Sequence, residues 1–259
     1  MGFVSAPEDA LRRDRAVVFA SLGLVAAAAW AYTLVMAWMM PGMADGTGGH
    51  SPGWTAGYAA ATFVMWTAMM AAMMLPASAP MIVMVATINR SRRARGAPYA
   101  PTAVFAAGYL AVWSAFSALA TAAQSALETA GLLDATMAAA SPVFAGVVLL
   151  GAGLYQTTPL KASCLTQCRS PLGFLTMNWR EGLAGAFALG ARHGAFCVGC
   201  CWALMALMFA AGTMNLLAIA ALTALVLAER LLAQGELLAR AVGIALTLAG
   251  LGAIAYGLG

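Results

Sequence analysis

Residues 193–228 read HGAFCVGCCWALMALMFAAGTMNLLAIAALTALVLA, a run without a single formally charged side chain at neutral pH. One membrane-crossing helix needs about 20 predominantly apolar residues, so this run is long enough for two. Gly212-Thr213-Met214-Asn215 is the natural break, because Gly and Asn favour the left-handed cap that ends a helix. Cutting the rest of the chain at its charges gives further stretches, uncharged at 16–40, 56–88, 102–127 and 142–160 and with Arg240 alone charged at 237–258. The second of these is interrupted by Pro76 and Pro80. The fold expected is all-α: a polytopic helical membrane protein with about seven transmembrane helices. Residues 1–15 read as a cytoplasmic N-terminal tail and 16–259 as a single transmembrane helical domain. Residues 182–191 are apolar but too short to span alone. A helix continuing from them through His193 would put Arg192 inside the membrane, which is costly unless it faces protein or water. A break is therefore expected near 190–194.

Composition agrees. Of 259 residues, 63% are hydrophobic and 8% charged, against roughly 45–50% and about 25% in soluble domains. This excludes an ordinary soluble enzyme and a disordered chain. The net charge of +4 comes from 13 basic residues, too few and too scattered for a phosphate-binding face, so nucleic acid is not an expected partner. Their placement instead reads as topology. With the N-terminus in the cytoplasm, every basic residue falls on the inner side: Arg12, Arg13, Arg15, the Arg90–Arg95 run, Lys161, Arg169, Arg180, Arg192, Arg230 and Arg240. The outer loops carry only Asp45, Glu128 and Asp134. That pattern satisfies the positive-inside rule and puts the C-terminus outside. The first apolar stretch is too long for a cleavable signal core.

Phosphate loops, nucleophile elbows and paired carboxylates are not found, so the chain reads as a binder more than an enzyme. Its chemistry lies in sulfur: 5 Cys and 17 Met. Cys164 and Cys168 fall on an expected inner loop. His193, Cys197, Cys200 and Cys201 fall at the start of the fifth span. On a helix their spacings of four, seven and eight place all four on one face, with Met205 and Met208 continuing the stripe. Thiolate and thioether ligands select Cu(I), and thiolate with imidazole suits zinc. The bland alternative is that each Cys is a small buried hydrophobe. Structural disulfides are not expected on a cytoplasmic face.

The second span supplies Met65, Met69 and Met73 at a four-residue repeat, readable as a thioether path or as flexible filler between helices. Pro76 would free backbone carbonyls within the membrane. Met36, Met39, Met40 and Met43 crowd the outer end of the first span near His50, readable as interfacial packing or as a place where metal could be collected. Glu229 and Arg230 read as an interfacial pair, and Gln156, Thr157 and Thr158 as groups that orient ligands or hold helices together. Gly182, Gly185, Gly243 and Gly250 read as helix-packing positions. Met65-Trp66-x-x-Met69 echoes Cys201-Trp202-x-x-Met205, as an inverted repeat would.

Tyr155-Gln-Thr-Thr-Pro-Leu-Lys161, Cys164-Leu-x-x-Cys168-Arg-x-Pro171, Gly194-x-x-Cys197-x-Gly-Cys-Cys-Trp202 and Gly212-x-Met214-Asn215 resemble a bacterial family catalogued as predicted metal-binding integral membrane proteins of unknown function. Met69-Met70 through Pro76 and Pro80 match its first block, and the resemblance runs from about residue 66 to 234. It implies metal binding, with Cys164, Cys168, Cys197, Cys200 and Cys201 as ligands, in a bacterial inner (plasma) membrane.

The combined expectation is a soft-metal protein, copper(I) first and zinc second, acting in metal transport, delivery or homeostasis. The lipid bilayer, the ion, and a membrane-protein partner or second copy are its expected partners. Two alternatives stand beside it. One is a membrane thiol–disulfide or electron-transfer protein, for which only Cys197-Val-Gly-Cys200 has the common redox spacing. The other is an accessory subunit whose cysteines hold a structural zinc.

Overall fold

An apolar chain can satisfy its backbone N–H and C=O groups inside hydrocarbon only within helices or a closed barrel. The computed structural model describes residues 5–46, 53–134 and 136–259, and these fold into helices with no strand beyond an isolated bridge between Leu133 and Ala139. The helices are α1 (Ser5–Gly46), α2 (Ala56–Ala94), α3 (Thr102–Thr129), α4 (Pro142–Gln156), α5 (Pro159–Arg169), α6 (Pro171–Asn178), α7 (Gly182–Ala206), α8 (Met208–Ala211), α9 (Leu216–Leu231) and α10 (Gly235–Leu258). Their starts follow the local chemistry. Thr55, Ser141, Thr158 and Asn215 each accept a backbone N–H from three residues on, and proline takes the first position of α4 and α5, where its missing N–H costs nothing.

Five helical stretches are long and apolar enough to cross a membrane: Val18–Met39, Ala56–Ala94, Thr102–Thr129, Gly182–Ala211 and Gly235–Leu258. A sixth arises if α4 and α5, bent by 64° relative to each other, count as one broken span. That is short of seven. Pro159 stops the fourth stretch early: the residue before proline is driven out of the helical region, and Thr158 sits extended at ψ 149°. The sixth expected span is only the 16 residues of α9, about 24 Å of helix.

One expectation is overturned. α7 runs unbroken from Gly182 through His193 to Ala206, so there is no break near 190–194. The glycines there serve contact between helices. A Cβ on Gly190 would collide with the carbonyl of Phe105, and one on Gly108 with that of Phe187, so α3 and α7 touch backbone to backbone. Arg192 is exposed on this helix. The α4–α10 seam works alike: Cβ atoms on Gly153 and Gly146 would lie 2.7 Å from the Gly243 and Gly250 carbonyls, as small residues at membrane helix interfaces allow. Gly182 and Gly185 are not part of such a seam. Gly182 turns the chain at φ +77°, and Gly185 packs on Arg180 of its own segment.

The polarity is inverted relative to a soluble domain. Trp38, Leu217, Leu248 and Tyr256 are exposed, whereas Lys161, Gln156, Gln124, His193, Glu229 and Arg230 are buried. The connections sort to two ends. Arg92 pairs with Glu181 and lies over Trp179, and Arg169 donates to the carbonyls of Leu232 and Ala233. At the opposite end, the 130–141 loop packs on Gly212 and Thr213. His50 lies outside the described residues, as do the side chains of Met40, Met43, Asp45, Arg12, Arg13 and Arg15.

Candidate metal centre

The middle of α7 carries the sulfur. At about 1.5 Å per residue, His193 to Cys201 lie roughly 17–29 Å from the start of α7, inside the bundle and not at its end. All four side chains, with Met205 and Met208 beyond them, are buried, which is the single face their spacing predicts. The cysteines are free thiols.

The guanidinium of Arg230 on α9 reaches into this face. Its Nη2 donates to Cys197 Sγ at 2.8 Å, Cys200 Sγ at 3.3 Å and Cys201 Sγ at 3.9 Å. A guanidinium stays protonated and is buried only against negative charge or good acceptors. No carboxylate among the described residues pairs with it; the three sulfurs are the acceptors of its Nη2, while Nε and Nη1 are buried without a partner there. The Cys200 and Cys201 thiols both donate to the Cys197 carbonyl. Cys197 Sγ instead gathers Arg230 and the Tyr109 hydroxyl, which is 3.0 Å away and donates to Met74 O at the same distance. Because the single Tyr109 proton goes to Met74 O, the Cys197 S–H is the donor to that hydroxyl.

α5 closes the site. Residues 161–169, expected as an inner loop, are helical because Thr158 and Pro159 restart the helix. This brings Cys168 Sγ to 3.9 Å from Cys200 Sγ, so the two cysteine groups meet. Cys164 is placed differently: it lies against Gly199, where a Cβ would come within 2.8 Å of its sulfur. Gly199 also accepts the Tyr155 hydroxyl through its carbonyl.

Glu229 and Arg230 do not form the interfacial pair expected of them. Both are buried, and adjacent positions on a helix point about 100° apart. Arg230 faces the thiols, while Glu229 accepts from Lys161 Nζ at 2.6 Å and from Gln156 Nε2 at 2.7 Å. Lys161 also donates to Gln156. A cavity of about 160 Å³ opens beside this group, lined in part by Thr157, Thr158, Lys161, Glu236 and Arg240.

His193 is stacked on Tyr109 and Phe105 and met edge-on by Phe174. Both its ring nitrogens are buried without a hydrogen-bond partner. Buried polar groups are nearly always paired, and this imidazole has no pairing partner among the described residues. Met65, Met69 and Met73 are buried with Met70 and Met74. The thioether that touches the thiols is Met74, 3.9 Å from Cys201 Sγ, one position off the expected repeat. The Pro76 region holds it, with the Met74 and Leu75 carbonyls taking the Tyr109 and Ser78 hydroxyls. The echoed tryptophans differ: Trp66 is buried on Gln124, and Trp202 is exposed.

Among the described residues, no three His, Cys, Asp or Glu side chains already converge as a metal cage; Arg230 Nη2 instead contacts three of the sulfurs. The donor set nevertheless fits a soft ion. Arg230, Tyr109, Lys161 and Met74 were not among the candidates read from sequence. The available signal was a charged pair at the end of an apolar helix, which is a functional hint by default.

A family model described as PpoB2, copper chaperone, matches residues 63–253. No curated protein and no solved structure matches the chain.

Proposed function

Since the chain belongs to the copper chaperone family PpoB2, we propose that it is a membrane-embedded protein that binds copper(I) at the α5–α7 thiols and hands it on within the bilayer. The observation that carries this reading is the convergence of Cys197, Cys200 and Cys201 on one guanidinium nitrogen, with Cys168 beside them. Copper(I) is the cargo. Two thiolates binding it leave one net negative charge, which Arg230 balances in the low-dielectric interior where an unbalanced charge is expensive. His193 offers a neutral ligand from the same helix face. Met74 is the first thioether reached from Cys201, and Met73, Met70, Met69 and Met65 continue along α2. Met205 and Met208 line the α7 side. Cys164 is placed to take the ion on or off at the α5 surface, being only partly buried.

In the membrane the chain would lie with its N-terminus in the cytoplasm and its C-terminus outside the bacterial inner membrane. The short α9 and the bent α4–α5 pair would then complete seven crossings. Transport, delivery or homeostasis would follow from exchange of the ion between thiolate and thioether ligands, with a partner or a gradient setting the direction.

The test is elemental analysis of detergent-purified protein beside Cys200→Ser. The reading expects about one tightly held copper per chain, lost in the variant. Zinc held through chelation would favour a structural site. No metal, with Cys168 and Cys200 oxidising reversibly to a disulfide, would favour the redox reading, which the 3.9 Å sulfur separation also permits.

A further inference from the structure

The other end of the methionine ladder carries a second polar cluster. Gln124 on α3 is fully buried; its Oε1 accepts from Trp66 Nε1 at 2.8 Å. Its Nε2 lies 2.8 Å from Glu128 Oε1 and 3.1 Å from Met137 Sδ. Thr213, buried in the α8–α9 link, donates to the same sulfur at 3.2 Å. The remaining carboxylate oxygen, Glu128 Oε2, is buried and has no hydrogen-bond partner among the described residues. Unlike Glu181 and Glu229, Glu128 has no cation paired with it there.

Met137 is the one described non-glycine residue at positive φ, +57°. That conformation is uncommon outside Gly, Asn and Asp, and such strain persists only where the surroundings enforce it. The enforcement is visible. Asp134 Oδ1 accepts from Thr136 N at 2.8 Å, Thr136 Oγ1 at 2.6 Å and Ala138 N at 3.0 Å, and the Leu133–Ala139 bridge closes the loop. The loop therefore holds a thioether near Glu128, a half-buried residue whose Oε2 is buried. The pair is separated only by an amide, whose N–H donors occupy the place a cation would take.

We propose that Glu128 and Met137 form a second soft-metal site, with Gln124 as the group that yields when the ion enters. This rests on the reading of the chain as a copper(I) carrier and extends it to the far end of the path. The two sites are linked by α2. Trp66, which touches Gln124, and Met74, which touches Cys201, lie about 12 Å apart along its axis, with Met69, Met70 and Met73 buried between them. One carboxylate and one neutral thioether form a weaker set than thiolates, as a site that loads or releases the ion requires.

The test uses Ag(I), a closed-shell stand-in for copper(I), on full-length protein in detergent with methyl-labelled methionine. Wild type should bind two equivalents. Cys200→Ser should keep the weaker one, and Ag(I) should then shift the Met137 methyl resonance. Glu128→Gln with Met137→Leu should keep only the tighter one. A single wild-type equivalent lost in Cys200→Ser, or a Met137 methyl signal unmoved by saturating Ag(I), would overturn the second site and leave the thiol centre standing. No Ag(I) bound to wild type would overturn both. The methyl readout on the unchanged residue decides the matter even where the double variant fails to fold.

Discussion

Lys161→Met isolates the clamp that brings the two cysteine groups together. Lys161 and Cys168 lie two turns apart on α5, and Glu229 and Arg230 are adjacent on α9. The Lys161–Glu229 pair therefore fixes the helix that carries Cys168 against the helix that carries the guanidinium. Nζ is 2.6 Å from Oε2, with the side chains 0% and 2% exposed. Methionine keeps the length of the stem and deletes the ammonium, leaving a buried carboxylate supported by the Gln156 amide alone. Breaking one side of such a pair costs about 3–5 kcal/mol. At about 2–4 °C per kcal/mol for a chain approaching this size, that is roughly 6–20 °C in Tm. Replacing both partners by apolar groups is often neutral, so Lys161→Met with Glu229→Leu should recover most of the loss. The assay is unfolding of the four proteins in one detergent, followed by circular dichroism and treated as a double-mutant cycle. Oxidative cross-linking of Cys168 to Cys200 should also slow several-fold in Lys161→Met. A single variant within about 0.5 kcal/mol of wild type, or a double variant at the sum of the singles, would refute the clamp.

Three further outcomes follow from the same geometry. His193→Phe removes no hydrogen bond and fits an aromatic box, so stability should stay within about 1 kcal/mol while copper(I) affinity falls in a competition titration; an unchanged affinity would remove His193 from the ligand set. Arg230→Lys shortens the reach to the three sulfurs and replaces a planar guanidinium by a compact, strongly hydrated ammonium, and copper(I) affinity measured against a chromophoric chelator should drop about tenfold, or about 1.4 kcal/mol. Gly153→Leu drives a side chain into the α10 backbone and should cost about 1–3 kcal/mol in detergent unfolding, whereas Gly151→Leu, with open space at its Cβ, should cost much less.

The family reading sharpens what the thiols mean, because the matched region 63–253 contains α2 from its first methionine through to α10. Every sulfur group proposed as a ligand lies inside it. The extended α1, most of whose described side chains face outward, lies outside it.

Composition and local spacing determined the helical class, the caps, the Gly212–Asn215 break and the single buried face of His193, Cys197, Cys200 and Cys201. Each depends on interactions within a few residues or on the solvent a segment prefers, and these are written in local sequence. What tertiary structure decided depends on approach between distant segments. Gly190 and Gly194 read locally as breakers, yet they keep α7 continuous because the α3 backbone needs the space a Cβ would fill. Glu229 and Arg230 read as a surface pair, yet the angle between successive helical positions sends one to Lys161 and the other to the thiols. Cys168 meets Cys200 only because Pro159 bends the chain and α5 folds back onto α7. Burying a charge in an apolar bundle is costly unless a partner comes from elsewhere in the chain. Arg230 lies 33 residues from Cys197 and Glu229 lies 68 residues from Lys161, where no local pattern could have named them.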